Sequence, residues 1–208
     1  MPIRKGNTLK NIWSGYAIAL AIVVLSSPVI SWAGDVSRVS EQSVEATLFD
    51  IDDAGCVQTF VFVFAISFRN QNPPGAGSES AEGFVVLSRF DDCTGEEILD
   101  GIGGLSSADI KFRGTAAQVT GAVPVFDFVS NAVLDLFVDL EWEAVGPARP
   151  ETDHFHSRTA ESIVNRHYLI EFRPAVVSGS LSLEGVDLEL GTEFAGMRRV
   201  KAGTVVIN

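Results

Sequence analysis

From Ser43 to Leu183 the apolar residues of this 208-residue chain recur at every second position almost throughout, and no stretch holds a sustained helical period. Side chains alternate across a strand, so a period of two commits a chain to β structure. The cleanest case is Ala132 to Ala144. Leu134, Leu136, Val138, Leu140 and Trp142 form one face, and Asp135, Asp139, Glu141 and Glu143 the other. Val119 to Phe128 precedes it, and Ser130-Asn131 between them predicts a hairpin. Ser43 to Asp50, Phe84 to Phe90, Glu96 to Leu105, Ala108 to Phe112, Ile163 to Phe172, Val176 to Leu183 and the tail from Phe194 add further short strands. Arg173-Pro174 separates two of them and predicts an edge, a bulge or a crossing, because proline cannot donate to a ladder. About nine short strands imply an all-β, antiparallel β-sandwich, with a small closed β-barrel as the alternative.

Val57 to Phe68 is apolar on both faces, with Phe60, Phe62, Phe64, Ile66 and Phe68 on one and Val61, Val63 and Ala65 on the other. That pattern predicts a central strand covered by a second layer, its phenylalanines in the core. Exposure of part of it would instead mark a partner interface. Asn70 to Gly83 and Gly146 to Ala160 are polar and rich in turn residues, and predict loops.

The first 33 residues differ from the rest. Arg4, Lys5 and Lys10 precede the apolar run Ala17 to Leu25, Pro28 ends it, and Ser31-Trp32-Ala33 offers small residues to a signal peptidase. This is the layout of a secretory signal peptide cleaved between Ala33 and Gly34. A single domain, 34–208, would remain. Loss of the three basic residues leaves 12 basic against 27 acidic, a net charge of −15, compared with −12 for the whole chain. Such a surface repels nucleic acid and anionic membranes. Export without stable membrane insertion follows, ending in a periplasm, at a cell surface or outside the cell. The partner would be a protein or a surface polymer. An outer-membrane barrel fits the length, but Trp142 and Tyr168 are too few for aromatic girdles.

Cys56 and Cys93 are the only cysteines, each beside a strand end. In an exported chain they are expected to form a disulfide. Each follows an aspartate cluster, so the bridge would draw Asp50, Asp52, Asp53, Asp91 and Asp92 together. Calcium, which takes six to eight oxygens in loose geometry, is the cofactor such a cluster would suit. Other constellations are thinner. Glu141 and Glu143 flank Trp142 on one face and could serve glycan hydrolysis as an acid and a base or nucleophile. His154 and His156 point the same way in an extended chain and could bind zinc or copper with a third ligand, His167 following nearby. Gly104-Leu105-Ser106-Ser107-Ala108 lacks the last glycine of a nucleophile elbow and the helix such an elbow needs. Arg166, Arg173, Arg198 and Arg199 could form an anion site or pair with surplus carboxylates. The reading that emerges is an exported, acidic, non-enzymatic binding or structural module.

Overall fold

The computed structural model describes residues 36–70, 78–158, 163–189 and 191–207. The expected signal segment, with its expected cleavage point between Ala33 and Gly34, lies outside them. Among the described residues the chain forms eleven strands: β1 Val36–Ile51, β2 Val57–Asn70, β3 Ser78–Asp91, β4 Glu96–Leu105, β5 Ile110–Arg113, β6 Ala116–Asp127, β7 Ala132–Ala144, β8 Arg149–Arg158, β9 Ile163–Leu183, β10 Val186–Leu188 and β11 Gly191–Ile207. All pairings are antiparallel, and the only helical element among them is a 3₁₀ turn, Ser107–Asp109.

The fold is all-β, as the period of two requires. One sheet carries it, and its ladder returns on itself. β1 pairs β2, β2 pairs β3, β3 pairs β4, β4 pairs β6, β6 pairs β7, β7 pairs β9, β9 pairs β11, and β11 pairs β1. This eight-strand circuit is the closed-barrel form of the expected architecture. Its thinnest seam is β4 to β6, where only Gly101 to Gly103 pair with Asp127 to Val125. The walls also meet across the interior, where the buried Trp142 of β7 donates its indole N–H to the Glu45 carbonyl of β1 at 3.0 Å.

Inward residues follow the alternation: Val44, Ala46 and Leu48 of β1, Val61, Val63 and Ala65 of β2, Val123 and Val125 of β6, and Leu136, Val138 and Leu140 of β7. β4 runs unbroken through Gly101, Gly103 and Gly104, and two of these glycines are what let it close. A Cβ at Gly101 would stand 2.6 Å from Val125 Cγ1, and one at Gly103 2.6 Å from Val123 Cγ1. Glycine in a strand marks such close approach.

Four expectations change. The Gly146 to Ala160 loop contains β8, which pairs residue for residue with β9 from Arg149↔Phe172 to Arg158↔Ile163. Almost all of β8 is exposed, so it joins the sheet through its backbone and carries no apolar signal. Ser78 to Gly83 likewise belong to β3 rather than to a loop. β9 runs through Pro174, and there it changes partner, from β8 up to Phe172 to β7 from Ala175. Finally, the phenylalanines of β2 are not the core. An eight-stranded barrel leaves an interior only as wide as its side chains, so Val61, Val63 and Ala65 fill it and Phe60, Phe62, Phe64 and Phe68 face out, half-buried.

Candidate functional site

At one end of the circuit, the β1–β2 and β3–β4 turns are tied by the Cys56–Cys93 disulfide, with Cα atoms 5.2 Å apart. The sequence places the aspartates here correctly, but the turns use them. Asp52 Oδ1 accepts the amides of Cys56 and Val57 at 2.8 and 2.9 Å. Asp91 Oδ1 accepts those of Cys93 and Thr94 at 2.8 and 3.0 Å. These bonds, the Thr94 amide foremost, hold the Asp91 carboxyl below its ordinary range. Asp92 takes the Gln58 amide group, and Asp53 is exposed. Asp50 instead lines a cleft of about 450 Å³ with Arg89, Glu184 and Asp187. Among the described residues, no three of the five aspartates bring oxygens within 4.8 Å of one another. The one tight group here is Asp91 with the two cysteines, whose sulfurs are bonded to each other.

Glu141 and Glu143 lie exposed on the outer face of β7, opposite Gln118 and Ala116 of β6 and Ser178 and Val176 of β9. Trp142 between them turns into the barrel and is fully buried, so no aromatic platform stands beside the carboxylates. Ser106 caps the 3₁₀ turn, its hydroxyl accepting the Ala108 amide at 3.3 Å. The four arginines separate. Alternation puts Arg166 and Arg198 on one face of the β9–β11 sheet and Arg173 and Arg199 on the other. Arg166 lies over the Phe155 ring at 6.0 Å.

The histidines come together through strand register. β8 sets His154 opposite His167 and His156 opposite Asn165, all four on one face. The Nδ1 atoms of His154 and His167 are 2.6 Å apart, with rings edge to face at 4.7 Å. His156 Nδ1 meets Asn165 Oδ1 at 2.5 Å. All three imidazoles are exposed. The sequence named each histidine, but only the β8–β9 register makes His154 and His167 a pair, and that register was hidden in an apparent loop.

The outer face holds what the sequence missed. Cross-strand neighbours Thr47, Phe62, Val86, Ile102, Phe126 and Val133 make one row over β1, β2, β3, β4, β6 and β7. Ile102, Phe126 and Val133 are 45%, 38% and 62% exposed. Phe128 extends the patch, edge-on to Phe126 at 5.2 Å. Phe84 packs against Phe62 and Phe64 at 5.9 and 5.5 Å. The signal that could have found this was the double apolarity of Val123 to Phe128, which repeats that of β2. Two carboxylates sit on the same face, Glu45 opposite Phe64 and Glu41 opposite Phe68. Burial raises both above the ordinary glutamate value, against a smaller pull from Arg198.

No family model and no curated protein matches this chain. Among solved structures it is similar to a protein assigned as an AttH from Nitrosomonas europaea, at 13% identity and a TM-score of 0.37. The match covers 81% of this chain and 51% of that one, so the chain spans about half that protein's length.

Proposed function

We propose that the protein is an exported, non-enzymatic β-barrel binding module that takes a partner protein against its outward apolar row. The observation that carries this reading is the row itself, apolar over the five strands from Phe62 to Val133 and exposed at Ile102, Phe126 and Val133. Exposed apolar surface of that continuity marks an interaction site. Asp135 stands opposite Pro124 beside it, with Asp139 further along β7. With the acidity of the whole chain, they favour a partner whose apolar contact is ringed by lysine or arginine. Export is supported by the N-terminal pattern and by the disulfide, which belongs to oxidising compartments.

A second reading, a small outer-membrane barrel, draws on the eight-strand circuit. Against it stand Asp135, Asp139, Glu141 and Glu143 on the outer face of β7, where charge in lipid is costly. A glycan hydrolase using Glu141 and Glu143 would need one carboxyl desolvated, and both are exposed.

Photo-crosslinking in the producing cell separates these readings. A crosslinker at position 102, 126 or 133 is expected to give one discrete protein adduct that a crosslinker at position 141 does not, and Ile102→Asp should remove the adduct formed from positions 126 and 133. Equal adducts from position 141 and from the row, or none, would reject the reading. Fractionation with carbonate-resistant membranes would replace it with the barrel in lipid.

A further inference from the structure

We infer that His154 and His167, with His156 beside them, form a binding site for an imidazole-preferring divalent metal of the zinc or copper class. The site lies on β8 and β9, apart from the apolar row, and does not depend on the proposed partner. Its basis is geometric. Opposite positions on an antiparallel pair bring side chains closest, and here they aim two ring nitrogens at each other, 2.6 Å apart. Two lone pairs cannot face at that distance without a hydrogen between them, so one ring donates and the other accepts. A metal can replace that hydrogen, which leaves for the far ring nitrogen or for water. With bonds of 2.0–2.1 Å, two nitrogens on a tetrahedral zinc stand about 3.3 Å apart. The rings need therefore separate by only about 0.7 Å, and both are exposed and free to do so.

His156 would be the third donor once its ring moves, since the three imidazoles do not bring ring nitrogens within 4.8 Å of one another in this structure. It stands two residues from His154 on the same strand face, and its Nδ1 is engaged only by the Asn165 amide oxygen. Rotation away from Asn165 would bring it toward the pair, with water completing the set. On the far side of β9 the residue opposite His167 is Gly203, and a Cβ there would have nothing within 4 Å, so the approach is open. Lys201, on the same face two residues along β11, repels a loosely held cation. The site therefore selects a metal that forms directional bonds to nitrogen over calcium or magnesium, which prefer oxygen.

The purified untagged protein, titrated with zinc or copper(II) against a chromophoric chelator, is expected to bind one equivalent saturably. His154→Ala and His167→Ala should each weaken that binding by about tenfold or more, and His156→Ala by less. Calcium and magnesium should not compete. An absence of saturable binding, or unchanged affinity in the His154→Ala/His167→Ala double variant, would overturn the site. Copper electron paramagnetic resonance on the unaltered protein gives a readout free of mutation. Hyperfine splitting from at least two imidazole nitrogens is expected, and oxygen-only coordination would equally overturn it.

Discussion

The carboxylates of Asp91 and Asp127 and those of Glu41 and Glu45 belong to the same sheet yet move in opposite directions. Asp127 ends β6, buried at 3% exposure, and accepts the Ser130 hydroxyl and the amides of Val129, Ser130 and Asp100, at 3.0, 3.1 and 3.2 Å for the amides. Those bonds, the hydroxyl first, hold it below its ordinary range, as turn amides hold Asp91. Glu41 and Glu45 have Phe68 and Phe64 as cross-strand neighbours, and burial raises both. The acids at the turns are thus spent on the fold, whereas burial works against the charge of Glu41 and Glu45.

The turn end can be broken hardest. Replacing both Cys56 and Cys93 by alanine releases a loop of 37 residues in the unfolded state. In the chain-entropy model that costs about 4 kcal/mol. Urea unfolding of the double variant against the oxidised parent measures it. A loss under about 1 kcal/mol would mean that the strand ladder alone holds this end, and the contrast between the two regions would shrink.

Asp127→Ala should cost about 2 kcal/mol at neutral pH, because it strands three amides and removes a charged acceptor. The sign of its pH dependence follows from the lowered value. The native state holds its proton less tightly than the unfolded chain, so the stabilisation is present above the unfolded carboxylate value. It is lost as pH falls through the native one. Parent and variant should therefore converge in strong acid. A constant gap down to pH 2 would assign the effect to packing.

How far the sequence foretold this contrast depends on what each residue type reveals alone. The β6–β7 hairpin and the inward set Leu136, Val138, Leu140 and Trp142 were legible, since a sheet with one face buried writes its register into the alternation. The disulfide was legible because two cysteines leave one pairing. The fate of the Phe60, Phe62 and Phe64 face was not. An apolar face states that it avoids water, and whether a core or a partner covers it depends on the width of the barrel, which no local pattern carries. β8 was illegible for the opposite reason. Its pairing is made by backbone, and its side chains read Arg-Pro-Glu-Thr-Asp-His-Phe-His, the composition of a loop. The histidine pair went with it, since its geometry exists only in the β8–β9 register. Asp52 and Asp91 were legible as acids at the turns, but their amide bonds were not. A cluster of acids in sequence says nothing of how many oxygens the adjacent amides already occupy.

The smallest effect tests the outer face and carries the opposite sign. Glu45→Gln keeps the size of the side chain and removes a charge that burial penalises more than Arg198 rewards. It should stabilise the protein at neutral pH, by less than about 1 kcal/mol because the arginine offsets part of the gain. A raised native value means that the folded state binds the proton more tightly than the unfolded chain, whose glutamate titrates near the ordinary 4.5. Parent stability therefore falls as pH rises from that point through the native value, then levels off. The glutamine variant lacks this fall, so the two should match below about pH 4 and separate above it. Destabilisation at neutral pH would show that Arg198 dominates and that Glu45, like the turn aspartates, is spent on the fold. Stabilisation together with weaker photo-adduct formation from position 102 would extend the partner surface from the apolar row to β1.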